Sequence, residues 1–334
     1  MPSNTPDNNS RAMVSEGLES AIKPGDQIGH YRILAPVAHS KTALVYHAAD
    51  LRGGGDVAIK IPHPDVEKDQ NLSDWFRRGR EIGSRLNHPG IIRVVAAEGG
   101  EDYLVMEWFG GKSLREILHQ EKRLAPERAV GIAVGVGEAL EYMHTNAIVH
   151  RDLQPENILV GAGDHVKLIE FGGAAKGQAR RLTFTKVAQL TGASAYLSAE
   201  ELLGKHSDAR SDIYALGMIL YEMVTGKNPF PQPDPKDRLM SYPVPPRELD
   251  AGLSPQLQEV IYRALEHDPK KRYQTAHEFV LDLTHLDRVG VTDRVEVRYW
   301  KKGRASRWKK VLMYSALALV PLVILGLLLY FARG

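Results

Sequence analysis

Apolar positions along the chain change period twice. From Tyr31 they fall in short, β-branched or aromatic runs that predict strands at Tyr31 to Leu34, Ala43 to Asp50, Val57 to Ile61, Ile92 to Ala97 and Tyr103 to Trp108. The run Gly53-Gly54-Gly55 supplies a turn between two of them. Between the third and fourth lies a helical stretch, Leu72 to Leu86, that ends before Asn87-His88-Pro89. After Gly110-Gly111 the period becomes helical. Pro126 and Glu127 suit a first turn, and Ala129, Ile132, Ala133, Val136, Leu140 and Met143 make one apolar side. A second strong helix is expected from Ser211 to Val224. Strands first and helices afterwards imply an α+β chain, with a small sheet lobe, a larger helical lobe and a cleft between them for a ligand.

Both ends differ from this middle. Residues 1–28 are rich in Asn, Ser, Pro and Gly, carry no signal-peptide pattern, and are read as a disordered tail. Residues 29–287 form the folded domain and 288–310 a basic linker. Val311 to Ala332 is a run of 22 residues without a charge. As a helix it would span about 33 Å, against a hydrocarbon core of about 30 Å. Arg304, Arg307, Lys309 and Lys310 flank its N-terminal side, so a single-pass helix with the large domain in the cytoplasm is expected, leaving 333–334 as a short external tail.

Composition narrows the chemistry. Lys plus Arg (43) nearly balance Asp plus Glu (41) in 334 residues, which does not point to a nucleic-acid partner. The absence of cysteine removes disulfides, a thiolate nucleophile and Cys-ligated metal. The thirteen histidines show no HExxH spacing.

One stretch carries dense chemistry: His150-Arg151-Asp152-Leu153-Gln154-Pro155-Glu156-Asn157. A hydroxyl nucleophile needs a carboxylate within hydrogen-bond reach, a role open to Asp152, and Asn157 offers a neutral oxygen to a cation. With Val57-Ala58-Ile59-Lys60, Met106-Glu107-Trp108, Glu170-Phe171-Gly172, Tyr196 to Glu200, Asp212 to Gly217 and Arg272, it follows in order the motif set of eukaryotic-like protein kinases. Over roughly residues 31 to 286 the chain resembles a bacterial Ser/Thr protein kinase, which implies the bilobal kinase fold with one helix in the small antiparallel lobe.

The resemblance implies ATP and magnesium as cofactors and proteins as substrates, with the bilayer as a further partner through 311–332 and the basic residues before it. It allows a dimer. Lys60 would hold phosphates, Val37 and Ala38 would belong to the loop that covers them, and Val45, Ala58 and Leu159 would sandwich adenine. Glu107, Trp108 and Phe109 would form the hinge, Asn157 and Glu170 would hold the metal, and Asp152 with Gln154 would act on the acceptor. Thr183 and Thr185 are candidate phosphosites in the activation segment.

The pattern also breaks. Ala38, Ser40 and Ala43 stand where the family has glycines, Glu170 replaces an Asp, and Gln154 and Ala193 replace a Lys and its Thr partner. The helix that should give Lys60 a Glu partner has Gly79 there. Glu81 is two residues on, about 200° around the helix. Two readings follow: a Ser/Thr kinase, slowed by these changes, or a pseudokinase that acts as a membrane-bound, nucleotide-binding platform.

Overall fold

The computed structural model describes residues 22–40, 42–95, 103–176, 195–205, 207–230, 238–239, 241–294 and 297–298. The expected span 311–332, Thr183, Thr185 and Ala193 lie outside them. Among the described residues no helix is long and apolar enough to cross a membrane.

The N-terminal lobe is a six-stranded antiparallel sheet of β1 (Gln27–Ile28), β2 (Tyr31–His39), β3 (Ala43–Asp50), β4 (Gly55–Pro62), β5 (Val94–Val95) and β6 (Leu104–Glu107), in the order β1-β2-β3-β4-β6-β5. Strand alternation sorts its side chains. Tyr46, Val57, Ile59 and Val105 join Tyr31 and Ile33 in a core of their own. On the other face, Val45 stands opposite both Lys60 and Ala38, and Ala58 lies two residues before Lys60. The sheet begins at Gln27, inside the segment expected as tail, and Ile22 packs on its core.

Two helices accompany this sheet, not the single one expected. The additional one, α1 (Pro64–Lys68), is a five-residue turn begun by Pro64, too short to show an apolar repeat. The second, α2 (Gln70–Gly83), is capped by Asp69, whose side chain accepts from the Asn71 amide. It starts and stops two to three residues earlier than the periodicity suggests. Its buried face is Trp75, Phe76, Gly79, Ile82 and Gly83.

The C-terminal lobe holds α3 (Leu114–Glu121), α4 (Pro126–Thr145), α5 (Ala199–Leu202), α6 (Ala209–Thr225), α7 (Pro246–Leu249), α8 (Pro255–Ala264) and α9 (Ala276–Thr284). Short strands β7 (Lys112–Ser113), β9 (Ile158–Val160) and β10 (Val166–Leu168) form a sheet at the cleft, ordered β10-β9-β7. Strands β8 (Ile148–Val149) and β11 (Ala175–Lys176) form a pair. Every residue of α6 from Ser211 to Thr225 is buried, as befits a helix apolar around most of its girth. It packs against α4, α8 and α9, and Gly226 ends it in the left-handed region (φ 70°), where a β-carbon would be strained.

The chain continues to pack beyond 287. Arg294 pairs with Glu259 and Glu266 on and just after α8, at 2.9 and 2.7 Å, and Thr292 donates to Glu259 at 2.9 Å. The first residues of the expected linker are therefore held on the helical lobe.

Candidate active site

The loop between β8 and β9 is built around Asp212 near the start of α6. Its carboxylate accepts the amides of His150 and Arg151, each at 2.8 Å, and contacts His144 Nε2 at 2.8 Å. These bonds hold Arg151 in a left-handed backbone conformation (φ 63°) that a side-chain-bearing residue seldom adopts unaided. Asp212 is fully buried. Burial opposes its charge, but the bond to His144, the charges of His144 and His150 and the Arg151 amide together keep its carboxyl below the usual range. Burial dominates at His150 and lowers its pKa.

That bracing sets out the residues of the loop between β8 and β9. The Asn157 side-chain amide donates to the Asp152 carbonyl at 2.8 Å and to Asp152 Oδ2 at 3.0 Å. Gln154 Nε2 donates to Asp152 Oδ1 at 3.3 Å. Asp152 is thus a buried carboxylate with a donor on each oxygen, at the edge of a small cavity lined by Leu153, Tyr196, Leu197 and Ser211. Because both Asn157 bonds use its nitrogen, its amide oxygen is the atom left for a cation.

Across the cleft, Lys60 Nζ pairs with Glu170 Oε2. Glu170 also has a left-handed backbone (φ 72°), and the following Phe171 packs edge-on to His150, 5.9 Å between ring centres. Of the expected site residues, Lys60, Asp152, Gln154 and Asn157 are buried, and Val45, Ala58, Leu159 and Glu170 are half-buried. Val37 and Ala38 are exposed on β2. Of the residues expected as a hinge, Glu107 turns its side chain to Lys167 at 2.5 Å and Trp108 stacks on His47 at 3.8 Å. Glu81 lies on the exposed face of α2, paired with Arg85 at 2.8 Å.

Four features escaped the sequence reading. Ser40 caps the β2–β3 turn, its Oγ bonded to the Ala43 carbonyl and amide at 3.0 Å each, while His63 bonds the Ser40 carbonyl at 2.8 Å. Side-chain bonds thus fasten a turn where the family has glycines. Arg115 on α3 joins Glu156, Glu222 and the Tyr196 hydroxyl, tying the loop between β8 and β9 to α6 and to the Tyr196 segment. Burial opposes the Arg115 charge, but Glu222, Tyr196 and Glu156 outweigh it and raise its pKa. Arg151 is buried and donates to the Ser207 carbonyl at 3.4 Å. Trp75 and Phe76 face Lys60, which their position one turn before Gly79 could have signalled.

For a metal, Asn157 and Glu170 offer only oxygen, which suits a hard divalent ion such as magnesium. Among the described residues there is no group of three or more His, Asp or Glu side chains that could hold one alone. Magnesium commonly takes one or two protein oxygens plus phosphates, so the pair fits that use.

Comparison with known proteins agrees with this geometry. A family model described as "Protein kinase domain" matches residues 31–282. A probable serine/threonine-protein kinase of Streptomyces coelicolor is 36% identical over 76% of this chain and 39% of its own length. The serine/threonine-protein kinase PknB of Mycobacterium tuberculosis is 37% identical over 72% of this chain and 40% of its own. The chain therefore spans about two fifths of the length of the relatives it matches. The crystal structure of the Mycobacterium tuberculosis PknI kinase domain aligns with a TM-score of 0.62 at 23% identity, over 80% of this chain and all of that one, a likeness of fold.

Proposed function

The chain belongs to the protein kinase family, and on that footing we propose that it transfers the γ-phosphoryl group of ATP to Ser or Thr hydroxyls of proteins at the inner face of a membrane. The observation that carries this reading is the buried Asp152 carboxylate, with Asn157 on one oxygen and Gln154 on the other.

In this mechanism Asp152 accepts a hydrogen bond from the incoming hydroxyl, aims its lone pair at phosphorus and takes up its proton. Its two amide donors fix the carboxylate and disperse its charge. Gln154 lies beside it as a neutral donor able to turn toward a phosphate oxygen. Lys60 supplies a point charge to the phosphates, while Val45 and Ala58 above and Leu159 below clasp the adenine. Asn157 and Glu170 would hold magnesium, which when bound offsets phosphate charge.

Placement at the membrane rests on the uncharged run 311–332 and the basic residues before it. The Asp152 constellation favours transfer over a platform that only binds nucleotide. Incubating the full-length chain with labelled ATP and casein, then hydrolysing the product, tests the reading. Phosphoserine and phosphothreonine are expected, and label confined to free phosphate would contradict it.

A further inference from the structure

Two aromatic rings stand where α2 lacks its carboxylate. The Lys60 ammonium lies 5.1 Å from the centroid of the Trp75 ring and 5.8 Å from that of Phe76. Both distances are inside the span of about 6 Å over which the negative face of a ring attracts a cation. Trp75 is 4% exposed, Phe76 9% and Lys60 8%, so little water competes for the ammonium. Trp75 also covers Gly172: a β-carbon there would sit 2.3 Å from the indole. The space that a helix carboxylate would need is closed as well, since a β-carbon on Gly79 would lie 3.0 Å from the Gly172 nitrogen.

Glu170 meanwhile has two claims on it. Among the described residues it is the only carboxylate paired with Lys60, and it is one of two oxygen donors suited to the cation. Once Glu170 turns toward a cation, Lys60 keeps a flexible four-carbon stem and no acidic partner among these residues. Only the rings then remain to place it.

We propose that Trp75 and Phe76 are positioning residues for Lys60: their ring faces hold the ammonium toward the phosphates of a nucleoside di- or triphosphate while Glu170 is engaged by the cation. The rings do for the lysine what a helix carboxylate does elsewhere, without adding a negative charge beside the phosphates. This inference rests on the nucleotide-binding reading above.

The test uses the full-length chain in detergent, with Trp75 replaced site-specifically by tryptophans bearing one, two and three fluorines. Fluorination drains the ring face of negative charge with little change of shape. Calorimetric titration with ADP and magnesium should show the dissociation constant rising stepwise, by about fivefold over the series. Adenosine, which has no phosphate, should bind equally throughout. Trp75→Leu should weaken ADP by about tenfold, and Trp75→Phe, which keeps a ring face, should recover most of the loss. An ADP affinity that stays flat along the series, with wild type binding ADP normally, overturns this inference alone. A wild-type chain that binds neither ADP nor adenosine overturns the nucleotide reading, and this inference with it.

Discussion

Gly79 lies so close to Gly172 that a β-carbon on Gly79 would come within 3.0 Å of the Gly172 backbone nitrogen. Helix α2 therefore rests on the backbone of the Glu170-Phe171-Gly172 segment, where a longer side chain would hold it off. One turn further along, a β-carbon on Gly83 would meet Val94 at 2.6 Å and Phe171 at 3.0 Å. The two glycines make a flat seat for the helix, and the aromatic side chains beside them reach Lys60.

This seating predicts the behaviour of Gly172→Ala. The added methyl meets the Trp75 indole at 2.3 Å, in a site already packed. Overpacking of this kind costs about 1–3 kcal/mol. Urea unfolding should show that loss in Gly172→Ala and a smaller one when Trp75→Phe is added, because the smaller ring frees space. Equal losses in the single and double variants would mean that Trp75 is not the obstacle.

The buried pair of Arg272 and Glu200 gives a second prediction. Arg272 meets both Glu200 oxygens at 2.8 and 2.7 Å, and Ser211 adds a bond at 2.7 Å. Arg272→Met would leave the Glu200 carboxylate buried without its cation, at a cost of about 3–5 kcal/mol. Adding Glu200→Gln should return part of that stability, since no unpaired charge remains. A double variant as unstable as the sum of the two singles would show that they are not coupled.

Stability should fall as pH is lowered, in two stages. His150 has its pKa lowered by burial from 6.5, so the unfolded chain takes up that proton first and stability begins to drop below pH 6.5. Burial opposes the charges of Glu200 and Asp212, but their partners lower both pKa values from 4.5 and 3.8. Their contribution is present above those values and is lost as pH falls through the lower, folded ones. Denaturant midpoints across pH 3 to 8 should follow this course, and His150→Gln should shrink the upper stage, leaving the part due to His88, whose pKa burial also lowers. A midpoint that is flat or rising as pH falls from 6.5 would contradict the assignment.

How much of this was legible beforehand follows chain distance. Asp152, Gln154 and Asn157 lie within one loop, so their spacing carried their juxtaposition, and the period change after Gly110 carried the two-lobe architecture. The Lys60–Glu170 pair joins residues 110 apart, and Arg115 reaches residues 41, 81 and 107 positions away. No local pattern records such contacts. Helix α1 was missed because Pro64 marks its start but five residues show no repeat. The Ser40 cap is hidden in the sequence because the position shows only the lack of a glycine, while its hydroxyl replaces backbone freedom with hydrogen bonds.

Membrane attachment is expected to reside in the uncharged run. Deleting Val311 onward should move the protein to the soluble fraction, since Leu, Ile, Val and Phe each favour insertion by a few tenths of a kcal/mol near the bilayer centre. In intact cells, external protease should leave the domain uncut. A truncated chain that still sediments with membranes would place the anchor elsewhere.

The central claim is that Asp152 orients and deprotonates the acceptor hydroxyl. It is tested most directly by the single-turnover rate of γ-phosphoryl transfer from labelled ATP, for wild type and Asp152→Asn at equal nucleotide occupancy. Asparagine keeps the shape and the neighbouring amides but cannot take the proton, so the rate should fall by about a hundredfold to ten-thousandfold, with nucleotide affinity unchanged. Transfer at the wild-type rate in Asp152→Asn would contradict the account.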